Sequence, residues 1–175
     1  MAITGIILAG GRSTRMGRDK ALVPVHGVPM ALRAASTLKL GGCKKVHVVG
    51  RQAALTKLGL DVISDGPNPN HHPLLGVAAA LEAVNEPLVL IAPCDLINVE
   101  PEHIQCLLDV GGPCVATAQG QVHPLLAVLP THLAGQASTL AEQGRPAMDL
   151  IEGLPRVELP PPSLCDANLP SDLPR

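Results

Sequence analysis

The sequence predicts an α/β domain with a mostly parallel sheet and one antiparallel strand, and three observations support this prediction. Short apolar runs typical of buried strands alternate along the chain with longer segments of helical periodicity. Residues 88–92 are apolar at every position, as expected for a strand buried on both faces of a parallel sheet. Gln119-Gly120-Gln121 can turn the chain back into an antiparallel strand at residues 122–129.

Each predicted strand is a short run dominated by Val, Ile, Leu or Ala. The strands lie at residues 6–8, 46–49, 62–64, 88–92, 114–118, 122–129 and 156–159. Pro29 and Pro101 suit the first position of a helix, and the glycine pairs at 41–42 and 111–112 end those two helices. Further helices are predicted at 53–58, 75–84, 133–142 and 147–151. Residues 21–27 form a bridging turn, residues 66–73 a loop and residues 160–162 a rigid proline spacer.

Length and composition favour a single domain, residues 1–175. A chain of 175 residues buries roughly 70% of its unfolded surface, which suffices for one core. The formal net charge of −2 argues against a nucleic-acid binder. Five cysteines without a C-x-x-C pair favour a reducing cytoplasm, and no apolar run reaches the ~18 residues that a membrane span needs. Phe, Tyr and Trp are absent, so none of these three aromatic rings can stack on a nucleobase.

Residues 6–20, reading IILAGGRSTRMGRDK, carry the densest chemical signal. A buried strand ends in Ala9, Gly10 and Gly11, where the backbone can approach a ligand without a Cβ in the way. Basic residues follow at 12, 15, 18 and 20, and guanidinium and backbone N–H donors suit a polyphosphate. The spacing matches neither the Walker A loop nor the dinucleotide fingerprint. From these residues alone, a solvated basic turn is as good an interpretation as an anion-binding loop.

Carboxylates follow two of the predicted strands. Asp65 comes after the third strand, and Asp95 follows residues 88–92 in the segment Pro93-Cys94-Asp95. In an open parallel sheet, ligands bind beyond the carboxyl ends of the strands. Asp95 therefore fits a Mg²⁺ ligand facing a polyphosphate, although Asp also serves as a cap or turn residue. By itself, Asp65 is interpreted as a turn residue. His71 and His72 have no third metal ligand at suitable spacing, so we interpret them as a solvated pair.

The pattern L-A-G-G-x-x-x-R-M-G-x-D-K at residues 8–20 resembles the signature of nucleotidyltransferases that join a nucleoside monophosphate to a phosphorylated acceptor. It is most similar to that of the molybdenum cofactor guanylyltransferases. Four shorter elements extend the resemblance: V-I-x-D ending at Asp65, P-L-x-G at residues 73–76, P-C-D ending at Asp95 and H-P at residues 123–124. The C-terminal D-A-N-L-P-S-D-L resembles the family's N-x-N-T-P-x-D-L element, with Asn168 at its asparagine.

The resemblance implies a three-layer, Rossmann-like nucleotide-diphospho-sugar transferase fold and transfer of GMP from GTP to molybdopterin or its molybdenum-bound form, with release of pyrophosphate. It implies that Arg15, Lys20 and Asp95 are catalytic and that Asp95 and Asn168 hold Mg²⁺. It also implies that His123 binds the acceptor. The nucleotide-binding residues it implies are Leu8, Ala9, Gly10, Gly11, Lys20, Asp65, Pro73, Leu74, Gly76 and Asp95.

Several alternatives stay open at this stage. His123 can equally be interpreted as a histidine at a strand edge. Arg145 is a second candidate for binding the acceptor, and it can equally be interpreted as a surface charge. Gly50 stands near where relatives place an asparagine that reads the base, so the choice of guanine is the least supported part. A cytidylyltransferase for the same cofactor, a sugar-phosphate nucleotidyltransferase and a non-catalytic nucleotide-binding module are the competing functions. We expect no nucleic-acid or membrane partner, and transient contacts with other molybdenum cofactor biosynthesis proteins.

Overall fold

The protein is built around a seven-stranded sheet. A computed structural model describes residues 3–10, 20–50, 52–66, 72–161 and 164. The sheet consists of β1 (Thr4–Leu8), β4 (Lys45–Val49), β5 (Asp61–Ile63), β6 (Leu88–Pro93), β7 (Cys114–Ala118), β8 (Gln121–Pro130) and β9 (Arg156–Glu158), in the order β5-β4-β1-β6-β8-β7-β9. Only β8 runs antiparallel to its neighbours in this sheet. The predicted mostly parallel sheet with one antiparallel strand is confirmed.

Helices cover both faces of this sheet. They are α1 (Met30–Leu40), α2 (Gln52–Thr56), α3 (Pro73–Ala83), α4 (Pro101–Asp109) and α5 (Ala134–Glu142). Most buried apolar residues of α1, and those of α2 and α4, join one of two large core clusters, and those of α3 and α5 join the other. Met30 of α1 belongs to a third, small cluster with Val23 and Val25. Alternate residues of each strand supply the two clusters, so that Ile7 faces α1 while Ile6 faces α3. The result is the three-layer arrangement that was expected.

Two short segments differ from the sequence-based prediction. Residues 21–27, expected to be a bridging turn, form the 3₁₀ turn Lys20–Leu22 and part of a hairpin of β2 (Pro24–Val25) and β3 (Val28–Pro29). Strands of two residues are too short to show a periodicity. The predicted helix at 147–151 is only a 3₁₀ turn, Ala147–Asp149, because Gly153 and Pro155 follow within six residues and leave no room for a second turn.

The order of the strands places a topological switch point between β1 and β6. The chain passes from β1 to β4 and β5 on one side, and then crosses through α3 to β6 on the other side of β1. Strands that diverge in this way leave a crevice at their carboxyl ends, where ligands of open α/β sheets bind. The loop after β1 and the residues after β6 therefore flank the expected binding crevice.

Gly41 ends α1 at a point with no room for a side chain. A Cβ there would overlap Ile104 Cβ and lie 2.9 Å from the carbonyl oxygen of Pro101. We expect Gly41→Ala to lower the free energy of unfolding by about 1–3 kcal/mol in urea denaturation, because backbone atoms of α4 would have to move. Gly135→Ala in α5 is the control, since a Cβ there meets nothing within 4 Å, and a gain of up to about 1 kcal/mol is expected. Equal stability of Gly41→Ala and wild type would contradict this prediction.

Within the described ranges, no helix is long and apolar enough to cross a membrane.

Candidate active site

The end of β1 is fixed from both sides by its neighbours. The carbonyl of Leu8 accepts a hydrogen bond from the Cys94 N–H at 3.1 Å, and the Ala9 N–H donates to the carbonyl of Val49 at 2.9 Å. Leu8 thus lies opposite the last residues of β4 and β6 in the sheet register. The glycine-rich loop consequently begins at the switch point, with its first residues held by backbone hydrogen bonds.

Gly10 and Asp65, predicted to share the nucleotide site, lie side by side. A Cβ placed on Gly10 would stand 3.5 Å from Oδ2 of Asp65. Gly10 is exposed and the Asp65 side chain is half-buried, so both border open space. A glycine at this position leaves the loop backbone and the carboxylate free to face the same ligand.

The N-terminus of α3 packs against this part of the sheet. A Cβ on Gly76 would lie 3.4 Å from Val49 Cγ1 and 3.6 Å from Leu8 Cδ2, so the helix approaches the strand ends closely. Leu74 is fully buried beneath it, whereas Pro73 is exposed at the first turn. The P-L-x-G element therefore brings the start of a helix next to the ends of β1 and β4.

His72 caps α3, a role that the sequence-based interpretation missed. Its Nδ1 accepts a hydrogen bond from the Leu74 N–H at 3.3 Å. The expected solvated pair is therefore wrong for His72, because one ring nitrogen satisfies a helix N–H that would otherwise need water. His71 lies outside the described residues. A histidine directly before a proline that begins a helix was the available signal.

Gly50 sits where β4 ends, close to the start of the loop. A Cβ there would lie 3.0 Å from Leu55 Cδ1 and 3.4 Å from Ala9 Cβ, and the Gly50 N–H donates to the carbonyl of Ile63. Any side chain at this position would have to displace Leu55 of α2. The tight packing around Gly50 thus leaves little room for an asparagine side chain at this position.

Lys20 and Asp95 meet across the switch point although 75 residues separate them. The Lys20 Nζ lies 3.0 Å from Oδ2 of Asp95, and their side chains are 19% and 24% exposed. Asp95 is the second residue after β6, and Lys20 begins the 3₁₀ turn Lys20–Leu22. The contact joins the basic end of the loop to the strand-end carboxylate, and both groups keep some access to solvent.

Beside Asp95, β6 and β8 separate and leave a cavity of about 250 Å³. Their pairing ends at Ile91 and Ala127. On its other side β8 shifts register against β7, since Val115 pairs with Ala127 but the next residue pairs with His123. The shift leaves residues 124–126 of β8 without partners in β7, and this stretch begins with Pro124, which has no N–H to donate to a ladder. The cavity is lined by Asp95, Gln121, Val122, His123, Leu125 and Leu126, among others.

The protein ligands at this site would bind a hard divalent cation only if the substrate supplied further oxygen ligands. Asp95 supplies one partly exposed carboxylate, and in the portion of the chain that the structure covers no group of three His, Cys, Asp or Glu could hold a metal. Mg²⁺ is commonly bound by one or two carboxylates together with substrate phosphates and water. The candidate site has this composition, rather than that of a preformed protein cage.

Cysteine chemistry is not suggested by the buried thiols. Burial raises the pKa of the Cys43 thiol to about 12 and also raises the pKa of Cys114. Both thiols are therefore protonated near neutral pH, and a protonated, buried thiol is a poor nucleophile.

The other predicted site residues have different outcomes. Gly11, Arg15 and Asn168 lie outside the residues that the structure describes. Arg145 is exposed, and its Nε forms a 2.6 Å ion pair with Oδ2 of Asp149, away from the residues lining the cavity beside Asp95. His123 does line that cavity. Gln121 and Leu126, which also line it, were not singled out from the sequence because the register shift of β8 is invisible there.

The fold defines a class of three-layer α/β proteins that bind ligands at the carboxyl edge of the sheet, around a switch point. The chain belongs to the MobA-like NTP transferase domain family, whose match covers residues 5–157. The predicted resemblance and the assignment as a nucleotidyltransferase are thereby confirmed.

Proteins of similar sequence carry one recurring name. The chain is 34% identical over 147 residues to the molybdenum cofactor guanylyltransferase of Serratia proteamaculans, which covers 81% of this chain and 75% of that protein. It is 41% identical over 96 residues to the enzyme of the same name from Cupriavidus taiwanensis, covering 53% of this chain. The match spans about half of that relative's length, 48%.

Solved structures share the fold at low sequence identity. Molybdopterin-guanine dinucleotide biosynthesis protein A from Archaeoglobus fulgidus superposes with a TM-score of 0.72 at 20% identity, covering 97% of this chain and 94% of that one. A cytidylyltransferase acting on 2-C-methyl-D-erythritol 4-phosphate, from Thermus thermophilus, gives 0.73 at 19% identity, covering 98% and 95%. A Mycobacterium tuberculosis protein in complex with manganese gives 0.75 at 19% identity, covering 98% and 96%. At these identities the likeness shows the fold alone.

Proposed function

We propose that this protein transfers GMP from GTP to the terminal phosphate of molybdopterin, or of its molybdenum-bound form, and releases pyrophosphate. The observation that carries the proposal is the 3.0 Å contact between Lys20 and Asp95 at the switch point. It brings a cation suited to phosphates next to a carboxylate suited to a metal, in a family of nucleotidyltransferases. The name shared by the relatives supports guanine and molybdopterin as the substrates.

In the proposed reaction, an oxygen of the acceptor phosphate attacks the α-phosphorus of GTP. The bond from this phosphorus to the oxygen bridging the β-phosphate breaks, and pyrophosphate leaves with the electron pair. Such transfers depend on positioning and charge neutralisation more than on covalent catalysis. The absence of a nucleophilic side chain from the proposed mechanism is consistent with this chemistry.

The nucleotide would lie along the ends of β4, β1 and β6. The backbone of residues 8–11 and the start of α3, with Pro73, Leu74 and Gly76, would surround the nucleotide, and Asp65 would contact it beside Gly10. Lys20, together with Arg15, would neutralise the β- and γ-phosphates as negative charge develops on the leaving group. The close packing around Gly50 supports base recognition through backbone groups rather than through a side chain at that position.

Asp95 and Asn168 would hold Mg²⁺, which when bound would neutralise charge on the α-phosphate. The partly exposed position of Asp95 in the lining of the cavity supports this role for the carboxylate. Lys20, only 3.0 Å away, would limit the orientations of Asp95 before substrate arrives.

The cavity between β6 and β8 supports an acceptor side next to Asp95. His123 lines it and would bind or protonate an anionic acceptor, while the half-buried Val122 and Leu125 supply apolar surface for a flat ring system. In the sheet, β8 lies on the opposite side of β6 from β1 and β4. An acceptor in this cavity would therefore approach the α-phosphate of the nucleotide from the β8 side of Asp95. A contact from Arg145 to the acceptor stays a prediction.

We expect pyrophosphate release with molybdopterin and Mg²⁺ to be at least about tenfold more efficient with GTP than with CTP, ATP or UTP, a preference worth about 1.4 kcal/mol. Comparing kcat/KM for the four nucleotides measures it. Reactions without molybdopterin are the control, because release there would indicate hydrolysis instead of transfer. A preference for CTP would exclude the guanine assignment, and no release with any nucleotide would favour a non-catalytic binding module.

The remaining features of the proposal concern the protein as a whole. The sheet runs from residue 4 to residue 158, which supports one nucleotidyltransferase domain over residues 1–175. A cytoplasmic location and transient contacts with other proteins of molybdenum cofactor biosynthesis stay predictions.

A further inference from the structure

The cavity between β6 and β8 contains a polar residue that the proposed reaction does not use. Among the described residues that line it, three have polar side chains: Asp95, His123 and Gln121. Asp95 is assigned to the metal and His123 to the charge of the acceptor. Gln121 is the first residue of β8 and is exposed. No step of the phosphate transfer requires its uncharged carboxamide.

Gln121 and His123 project from the same face of β8. Gln121 pairs with Ala118 of β7. His123 pairs with Ala116, and the register is regular between the two pairs. Ala116 belongs to the core cluster on the α4 face, whereas Val122 packs against the cluster on the other face. Because side chains alternate along a strand, Gln121 stands two positions, about 7 Å, beyond His123 on the same side.

Gln121 is also the farther of the two residues from the paired part of the sheet. The antiparallel pairing of β6 with β8 ends at Ile91 and Ala127. Back along β8 from Ala127, the chain reaches His123 first and Gln121 two residues later. An acceptor whose phosphate lay beside Asp95 and His123 would therefore extend its other end toward Gln121.

The turn before Gln121 is held from β9. Gln119 and Gly120 have φ angles of 52° and 76°, both positive as a two-residue type I′ hairpin turn requires. Glu158 of β9 accepts a 2.6 Å hydrogen bond from the Thr117 hydroxyl. This bond, and then the backbone N–H groups of Gln119 and Gly120, lower the pKa of the Glu158 carboxyl, so the carboxylate faces the turn. A side chain that projects from a fixed turn costs less ordering entropy when it binds a ligand.

A carboxamide is complementary to a ring that contains a cyclic amide. Glutamine offers an N–H donor and a carbonyl acceptor side by side. The pyrimidine half of a pterin presents a ring N–H beside a carbonyl oxygen, and an amino group beside a ring nitrogen. The cavity of about 250 Å³ is smaller than most ligand pockets, which measure about 300–1,000 Å³, so it suits a small bicyclic ring better than a second nucleotide.

We propose that Gln121 determines acceptor specificity: its carboxamide forms two hydrogen bonds to the pyrimidine edge of a pterin whose phosphate lies toward His123 and Asp95. The amide oxygen accepts from an N–H of the ring edge, and the amide N–H donates to the neighbouring acceptor. The inference rests on the proposed function and deepens it, because it names the part of the acceptor that is recognised. A ring without these groups leaves the carboxamide unpaired and binds less well.

Two ligands of similar shape test this pairing. Hydroxymethylpterin phosphate carries the pyrimidine edge, whereas naphthylmethyl phosphate has a flat bicyclic ring without it. Both ligands fluoresce, and the protein has no Phe, Tyr or Trp, so their emission is followed without a protein background. The pterin preference is the Kd of the naphthyl ligand divided by the Kd of the pterin ligand, measured in the presence of Mg²⁺.

We expect Gln121→Leu to lower the pterin preference about tenfold, or about 1.4 kcal/mol, because leucine fills similar space but forms no hydrogen bonds. We also expect KM for molybdopterin to rise about tenfold, while kcat and KM for GTP change less than about threefold, since the contact lies away from the reacting atoms. Gln136→Leu, at an exposed position in α5, is the matched control and should keep the preference and all three kinetic values within about twofold of wild type.

An unchanged pterin preference in Gln121→Leu, or an equal loss in Gln136→Leu, would overturn the role of Gln121. If the wild-type protein transfers GMP in the same experiment, only this role fails and the proposed function stands. A wild-type protein without transfer activity, whose pterin preference still falls in Gln121→Leu, would overturn the proposed function and support the recognition of the ring. The two failures are therefore distinguishable.

Discussion

Asp95→Asn is expected to lower kcat for nucleotidyl transfer by about 1,000-fold, because the amide cannot supply the negative charge that a bound divalent cation requires. The carboxylate stands at the end of β6, beside the cavity and 3.0 Å from Lys20. The fold should persist, since a partly exposed ion pair of this kind contributes only about 0–1 kcal/mol to stability. Steady-state kinetics at several Mg²⁺ concentrations, with melting temperatures measured in parallel, test this expectation.

Asp109→Asn is the matched control for Asp95. It removes one carboxylate at the end of α4, where Oδ1 accepts a hydrogen bond from Gln105 within the same helix. We expect its kcat to stay within about twofold of wild type, because surface substitutions away from the site have small effects. Near-normal activity in Asp95→Asn, or an equal loss in both variants, would remove Asp95 from the proposed metal site.

Lys20→Met should lower kcat/KM for GTP by about 100-fold, which corresponds to about 2.7 kcal/mol of transition-state stabilisation. The methionine keeps much of the apolar length of the side chain but removes the ammonium that faces Asp95 and, in the proposed complex, the leaving pyrophosphate. The loss should be found in kcat as well as in KM, since the negative charge on the leaving group grows in the transition state. Lys44→Met, at an exposed position before β4, is the control and should change neither.

Combining the two substitutions shows whether Lys20 and Asp95 act together. If Lys20 both orients Asp95 and neutralises phosphate, the double variant should lose less activity than the product of the two single losses. Strictly multiplicative losses would indicate that the two groups act independently despite their 3.0 Å separation. Unchanged kcat and KM in Lys20→Met would refute the phosphate role.

Where one hydrophobic period dominates, sequence and structure agree on the secondary structure. β7 occupies residues 114–118 as predicted, because a fully buried strand shows an uninterrupted run of small and apolar residues. The starts of α1 and α4 were found within one residue, since a proline at the beginning of a helix is a local signal. The hairpin of β2 and β3 was missed because two-residue strands leave no periodicity to read.

The candidate site shows the same division between local and distant information. Asp95 and Asp65 were identified because each follows an apolar strand, which is a local pattern. The ion pair of Lys20 with Asp95, the approach of Gly10 to Asp65 and the cavity beside His123 depend on the strand order and on the register shift of β8. No spacing along the chain encodes these distances.

By itself, the sequence determined the class of fold, the loop with its glycines and basic residues, and the carboxylates at the strand ends, because short-range rules of burial, turn formation and charge govern all of them. Only the tertiary structure decided that β1 and β6 flank the switch point, that β8 separates from β6 to leave a cavity, and that Lys20 contacts Asp95. The reason is physical: these features arise from contacts between residues tens of positions apart, whose geometry is set when the two faces of the sheet pack against their helices.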